Sequence, residues 1–454
     1  MNYEESVRSL LALGRELAAP QQARVQKFGL ENTKILSADL GNPHHTVPCV
    51  HIAGTNGKGS TAAMLESILR VAGLRTGLYT SPHLERINER IRINGEEIWD
   101  ESLAAVWTRV RASIESLMGA GKLAAHPTYF ECLTAMAFIA FAEQRVDFAV
   151  YEVGLGGRLD ATNIVNPEVA VITPVDFDHE NFLGHSIEEI AGEKAGIIKP
   201  GTLVVSSSQR LEARSVIARR CVELGARLVE VDHAWQVENV RVSDGCYSAV
   251  TASNDFKGRI AIGPALPGRF QLRNALTAAT TARLLSEKGF PIKDEAIARG
   301  IATVRWPGRL ERLSTRPTVY LDGTHNPAGA RELLKFWEEN FNGRRILLVY
   351  GAMRDKAVDE IAGLLFPRAD SVILTAPRQP RAISAPLLAE ITGHLAAQPA
   401  VVPDPAEALE RALEMAGPDD AIFATGSLYL VGDLRSCWSN HSGRVVPSAA
   451  KADS

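Results

Sequence analysis

Short apolar runs alternate with longer stretches of helical period along most of this chain. The runs predict strands at 47–53, 76–80, 147–153, 169–174, 203–206 and 227–231, and the helical stretches predict helices at 102–118, 129–143, 187–196 and 211–224. Strands that are apolar on both faces and separated by helices imply a parallel sheet covered on both sides. Between 236 and 262 the pattern shortens to alternating segments, which predict antiparallel hairpins at an edge of the first domain. Helical periodicity returns over 271–288 and continues to about 304. Trp306-Pro-Gly-Arg309 reads as a hinge, and after it the alternation resumes. Strands are predicted at 318–322, 346–350, 371–375 and 421–425, with helices at 328–340, 356–365, 385–394 and 405–415.

The end of the first predicted strand carries the most specific chemistry. His51-Ile-Ala-Gly-Thr-Asn-Gly-Lys-Gly-Ser60 runs from an apolar strand through a glycine turn into a helical pattern. That layout wraps backbone N–H groups around a polyphosphate. Gly54, Gly57 and Gly59 let the backbone approach phosphate oxygens, Lys58 supplies a positive charge, and Ser60 or Thr61 supplies a hydroxyl. The spacing departs from the usual phosphate-binding loop, because Ile52 stands where a glycine is common and Gly59 follows the lysine. The plain alternative is a tight turn with a solvated lysine. The expected fold is therefore α/β, with a P-loop-containing, mostly parallel doubly wound sheet domain over 1–304. A smaller C-terminal Rossmann-like α/β domain follows over 305–439, and a disordered tail over 440–454.

Other strand ends are polar as well, and in open α/β sheets ligands bind there. Thr80-Ser-Pro-His-Leu84 offers Ser81, whose hydroxyl can face Mg²⁺ or merely shape a turn. Glu152 closes a buried strand, where an unpaired carboxylate is costly unless it meets a cation or a substrate. In Gly154-Leu-Gly-Gly-Arg-Leu-Asp-Ala-Thr-Asn163, Arg158 and Asp160 suit a loop that clamps a polar ligand, or a salt bridge that stiffens a connection. His179 follows another strand; a lone histidine is more often structural, but convergence with Ser81 and Glu152 favours a metal role. Oxygens with one nitrogen suit Mg²⁺ or Mn²⁺ better than zinc. Lys194 reads as an ordinary lysine near a helix end. In the second domain Asp322 can accept from ribose hydroxyls, His325 can reach a phosphate, and Arg309 at the hinge can hold a nucleotide from the side. Polyphosphate-ready loops in both domains imply a nucleotide between them.

Composition excludes several other classes. Hydrophobic residues make up 46% and charged residues 22% of 454 residues, which are globular values for a chain of two or three domains. A net charge of −4 gives no polyanion-binding signature, so no nucleic acid partner is expected. Five scattered cysteines without a CxxC pair argue for reduced thiols and against structural zinc. The N-terminal residues show no basic segment followed by an apolar core, and no apolar run spans a bilayer. The expectation is a cytoplasmic monomer that acts on small molecules without a membrane.

Taken in order, these segments resemble the folylpolyglutamate synthase and dihydrofolate synthase branch of the Mur ligase superfamily. The resemblance runs from about Tyr3 to Leu434 and is carried by 51–60, 80–84, 151–163, 176–184, 193–199, 306–311 and 321–327. It implies an ATP-dependent amide ligase that activates a pteroate or folate carboxylate as an acyl phosphate for attack by L-glutamate. By the resemblance, Gly57, Lys58, Gly59 and Ser60 cradle the phosphates. Asn274, Arg309 and Asp322 contact ATP, and Ser81, Glu152 and His179 hold Mg²⁺. Lys58, Lys194 and His325 are the catalytic set, with Lys194 carrying a carbamate formed with CO₂. The pterin side comprises Phe28, Gly29, Leu30, Thr128, Tyr129, Phe130, Glu131, Leu159, Asp160 and Ala161, with Arg158 beside them. A bifunctional enzyme is favoured over a single-activity synthase. Other Mur-type ligases would need an extra N-terminal domain, and only about 46 residues precede the first strand. A nucleotide-dependent switch would leave Glu152, His179 and the Arg158/Asp160 loop without a substrate.

Overall fold

The computed structural model describes residues 1–16, 29–256, 258–395 and 398–442. The chain divides into two compact units, Met1–Trp306 and Pro307–Ser454.

The first unit is built on an eight-stranded sheet. Its strands are β1 (Cys49–Ala53), β2 (Thr76–Tyr79), β3 (Ile91–Ile93), β4 (Glu96–Glu97), β5 (Phe148–Glu152), β6 (Val169–Ile172), β7 (Leu203–Ser206) and β8 (Arg227–Glu230). Their spatial order is β4-β3-β2-β5-β1-β6-β7-β8. The six strands from β2 to β8 in that order are parallel, while β3 and β4 add antiparallel at one edge. Every residue of β1, β2, β5 and β6 is buried, as parallel strands covered on both faces require. One apolar cluster packs helices Lys58–Val71, Phe270–Glu287 and Asp294–Thr303 on one face. On the opposite face, helices Asp100–Gly119 and Tyr129–Glu143 cover the β2–β5–β1 region, and helices Ile187–Ala195 and Leu211–Glu223 cover β6 and β7. Helix Tyr129–Glu143 starts where its pattern predicts, because Thr128 accepts from the Glu131 N–H and Glu131 reciprocates at Thr128.

The segment after β8 forms a separate sheet rather than extending the first one. Strands β9 (Trp235–Ser243), β10 (Cys246–Ser253) and β11 (Arg259–Ile262) pair antiparallel in the order β11-β10-β9. Trp235, Tyr247, Ile260 and Ile262 turn inward onto the cluster around helix Phe270–Glu287, which pins this ribbon.

The second unit carries a six-stranded sheet of β12 (Glu311–Thr315), β13 (Thr318–Leu321), β14 (Ile346–Tyr350), β15 (Ser371–Leu374), β16 (Ala400–Val401) and β17 (Ala421–Thr425). The order is β12-β13-β17-β14-β15-β16, parallel except for β12. Helix Pro327–Asn340 begins at a capping Asn326, whose side chain accepts from the Gly329 N–H, with Pro327 in the first turn.

Two expectations change at the boundaries. The unit break falls after Trp306, where the pattern placed it after 304. The last helix, Leu428–Ser442, runs through Asn440, where a disordered tail was expected to start; 443–454 lie outside the described residues. Among the described residues, no helix is long and apolar enough to cross a membrane.

Candidate active site

The loops that leave β1, β2, β5 and β6 all emerge at the carboxyl ends of neighbouring strands. β1 lies between β5 and β6, so the chain returns to both of its sides. Such a crevice is where open α/β sheets bind ligands.

The glycine turn after β1 leads directly into helix Lys58–Val71. Gly57 is the helix N-cap in the left-handed region, with φ +84° and a Cβ position only 2.4 Å from Asn274 Oδ1. A side chain there would meet both backbone strain and a collision, so glycine is required on two counts. Gly59 lies against the Trp306 indole, with its Cβ position 3.1 Å from Nε1. The turn therefore sits between Asn274 and Trp306, with the N-terminal N–H groups of the helix at its rim. That end of a helix attracts anions.

Two lysines meet beneath this turn. Lys58 Nζ donates to the carbonyl oxygens of Gly54 (3.0 Å) and Thr55 (3.2 Å), while Lys194 Nζ donates to the same Gly54 oxygen at 2.9 Å. Lys194 is 4% exposed, so it is not the ordinary helix-end lysine that its sequence context predicts. Burial, reinforced by the nearby Lys58 charge, lowers its pKa to about 7. A lysine with that pKa is in part a neutral amine at neutral pH, and a neutral amine is the form that reacts with CO₂.

The expected metal ligands occupy adjacent loops. The Ser81 N–H donates to Glu152 Oε2 at 3.2 Å, which ties the loop after β2 to the end of β5. Glu152 is 5% exposed. The loop after β6 is stitched to the glycine turn, where Thr55 Oγ1 donates to the Asp176 carbonyl at 2.9 Å and the Asn56 N–H donates to that of Pro174. His179 follows on that loop, with φ +53° and its N–H donating to Asp178 Oδ1. Among the described residues, no group of three or more His, Cys, Asp or Glu side chains is disposed to hold a metal. The set of Ser81, Glu152 and His179 contains two such residues and a hydroxyl. That is a sparse, oxygen-rich donor set of the kind Mg²⁺ tolerates while keeping waters.

The salt bridge offered as the plainer alternative for the glycine-rich loop after β5 is not formed. Arg158 and Asp160 do not pair. Arg158 binds Glu193 through Nε and Nη2 at 3.0 and 2.8 Å. Asp160 accepts from the N–H groups of Gly154, Leu155 and Thr162 and from the Thr162 hydroxyl, so it braces the loop from inside. Burial raises its pKa, and those four donors oppose the rise. Phe130 lies on Gly154, whose Cβ position is 2.5 Å from the ring. Thr128, Tyr129, Phe130 and Glu131 are thereby brought to the loop that carries Leu159, Asp160 and Ala161. Leu30 caps helix Glu31–Asp39, which reaches Glu131 through Thr33 at 3.4 Å; Gly29 precedes it, and Phe28 lies outside the described residues.

In the second unit, Asp322 at the end of β13 accepts from the N–H groups of Leu310 (2.9 Å) and Thr324 (3.0 Å). The Arg309 guanidinium lies against Gly323, and His325 Nδ1 is 2.8 Å from the Gly323 carbonyl, so it is the protonated nitrogen. Arg309, Asp322 and His325 thus form one cluster within that unit.

Pattern reading missed three participants. Gln271 links helix Phe270–Glu287 to the glycine turn, accepting from Asn274 Nδ2 at 2.9 Å and approaching Ser60 Oγ at 3.4 Å. Arg90 donates to His83 Nδ1 at 2.8 Å and lies over the Tyr129 ring, 5.5 Å from its centroid. Burial and Arg90 hold the His83 pKa down at about 3, so that ring is neutral with its proton on Nε2. None has a sequence signature, since it is the fold that brings Gln271 to Ser60 and Arg90 to Tyr129.

The chain is similar to known proteins over most of its length. A family profile described as Mur ligase middle domain matches residues 52–282, and one described as Mur ligase, glutamate ligase domain matches 308–428. A dihydrofolate synthase/folylpolyglutamate synthase of Bacillus subtilis (strain 168) is 36% identical over 425 residues, covering 90% of this chain and 94% of that protein. The structure of Mycobacterium tuberculosis folylpolyglutamate synthase complexed with ADP and AMPPCP matches with a TM-score of 0.87 at 34% identity, over 95% of this chain and 99% of that one. Escherichia coli FolC in complex with DHPP and ADP matches with a TM-score of 0.80 at 31% identity, over 91% and 94%.

Proposed function

The chain belongs to the folylpolyglutamate synthase/dihydrofolate synthase family of Mur ligases, and from that premise we propose that it joins L-glutamate to dihydropteroate and to reduced folates at the expense of ATP. The observation that carries this reading is the pair of lysines on the Gly54 carbonyl beneath a glycine turn that opens a helix.

A carboxylate is a poor acyl donor at neutral pH, so its oxygen first attacks the γ-phosphorus of ATP and ADP leaves. The resulting acyl phosphate is attacked by the α-amine of L-glutamate, which has lost a proton. The tetrahedral intermediate collapses with expulsion of inorganic phosphate and leaves an amide. There is little covalent work for the protein in the first step, so catalysis rests on position and charge. Gly57, Gly59 and Ser60 let backbone N–H groups surround the phosphates, and Lys58 neutralises the charge that develops on them. Asn274, Arg309 and Asp322 contact the nucleotide, and His325 serves the phosphate end. Phe28, Gly29 and Leu30, the capped stretch from Thr128 to Glu131, and Arg158 to Ala161 receive the pterin side.

Ser81, Glu152 and His179 are the residues that would hold Mg²⁺, whose contribution when bound is to offset phosphate charge. Lys194, with its lowered pKa, can add CO₂ to its neutral amine; the carbamate gives the site an anionic oxygen pair in place of a cation. The enzyme acts as a cytoplasmic monomer on small molecules, with neither nucleic acid nor membrane as partner.

A single-activity folylpolyglutamate synthase is the second reading, since relatives bear both names. Release of ADP, followed with dihydropteroate or with tetrahydrofolate and with or without L-glutamate, tests both. Turnover with each pterin, dependent on glutamate, is expected. Turnover with tetrahydrofolate alone selects the single activity, and glutamate-independent or absent turnover contradicts the ligase reading.

A further inference from the structure

Beside the loop that carries Asp160, and lined by residues with no role in the chemistry above apart from Leu30, lies an open cleft of about 360 Å³. Lys34, Asn42, His44, His45, Asn163 and Lys199 supply its polar wall, and none of the residues that line it is acidic. Lys34 comes from helix Glu31–Asp39, the histidines from the turn before β1, Asn163 from the turn after the glycine-rich loop, and Lys199 from the segment after helix Ile187–Ala195.

Two of these residues are buried and incompletely satisfied. Asn163 is 4% exposed, and its Nδ2 donates to the carbonyls of Arg158 (2.9 Å) and Gly196 (3.1 Å). Those bonds fix which end of the amide is oxygen, and Oδ1 is buried without a partner. His44 is 7% exposed, and its Nδ1 is likewise buried without a partner. Native interiors rarely leave such atoms unpaired, and here both belong to the wall of one cleft. The Lys34 charge also reaches Lys199. Burial lowers the Lys199 pKa, the Lys34 charge lowers it further, and Lys199 Nζ is anchored to the Asn163 carbonyl at 2.9 Å. Burial, with His45 alongside, brings His44 down to about 4, so its imidazole is neutral at pH 7 and offers a donor or an acceptor.

We propose that this cleft binds a small oxyanion, whose carboxylate or phosphate oxygens lie between Lys34 and Lys199. Hydrogen phosphate and L-glutamate both offer such oxygens, and the test separates them.

Each anion is titrated calorimetrically into the full-length protein saturated with a non-hydrolysable ATP analogue, so that the glycine turn is already filled. The titrations compare the unmodified chain with Lys34→Glu and Lys34→Gln. Lys34 is exposed on its helix, and matching melting curves show that the variants fold. Saturable binding of one anion in the millimolar range is expected, weakened about tenfold or more by Lys34→Glu and less by Lys34→Gln, with affinity for the ATP analogue unchanged. Whichever anion saturates identifies the source of the oxyanion. Binding that Lys34→Glu leaves unaltered, or no saturable binding of either anion up to about 50 mM, overturns the proposal. No turnover enters the measurement, so its failure is distinct from failure of the ligase reading.

Discussion

Lys58 and Lys194 bring two ammonium groups to one carbonyl oxygen, that of Gly54, from positions far apart in the chain. The buried member yields its proton more easily, and Lys194 titrates near 7 instead of 10.5. Between those values the unfolded chain holds a proton that the folded chain has released, so stability rises with pH through that window. Below about 7 the folded protein carries the full cost of a buried ammonium. Lys194→Met removes this cost, so urea titrations should show it as more stable than the parent near pH 6 by a few kcal/mol, with the gap closing toward pH 10. The same variant should lose nearly all ligase turnover while nucleotide affinity changes little. A parallel pair of stability curves would return Lys194 to the status its sequence context gives it, that of a helix-end lysine. Its burial was not legible, because the helix is amphipathic and Lys194 falls on the side that the Gly54 carbonyl later occupies. The bonding within the Arg158/Asp160 loop was not legible for a related reason. Spacing placed two opposite charges close together but could not reveal that backbone N–H groups would claim Asp160 and Glu193 would claim Arg158.

At the scale of elements, the glycine turn is held by the helices behind it. Gly300 in helix Asp294–Thr303 abuts the backbone of helix Lys58–Val71, with its Cβ position 2.5 Å from Ile68 Cα, and Ser67 Oγ donates to the Gly300 carbonyl at 2.8 Å. Neither backbone can yield without moving a whole helix. Gly300→Ala should therefore cost about 1–3 kcal/mol in chemical denaturation, despite the better helix propensity of alanine. A gain in stability would mean that the helices are not in close backbone contact. Helix Tyr129–Glu143 and strand β14 were readable because a capping box marks the one and a wholly apolar, buried run the other. The short strands β3 and β4 at one edge of the first sheet, and β12 and β16 at the edges of the second, were not, since two to five residues that are only partly buried carry little pattern. Helix Glu31–Asp39 was also silent, because Ile35, Leu36 and Ala38 are its only apolar side chains.

For the whole molecule, the order of motifs carried more than any one of them. Polar loops at the ends of β1, β2, β5 and β6 point to a ligand crevice only once the sheet order is known, and the sequence implied that order only through a family resemblance. Trp306 belongs with the first unit, its indole against Gly59 and beneath the Arg92 guanidinium, 5.5 Å from the ring centroid. Proline and glycine marked the neighbourhood of the hinge.

In the proposed reaction ATP turns a pterin-bound carboxylate into an acyl phosphate before glutamate attacks. Dihydropteroate labelled with ¹⁸O in its carboxyl group tests it directly, through the mass of the phosphate released during turnover with ATP and L-glutamate. One labelled oxygen should appear in inorganic phosphate for each amide formed. Unlabelled phosphate, with ADP still produced, would mean that water and not the carboxylate attacks ATP, and the ligase mechanism would be wrong.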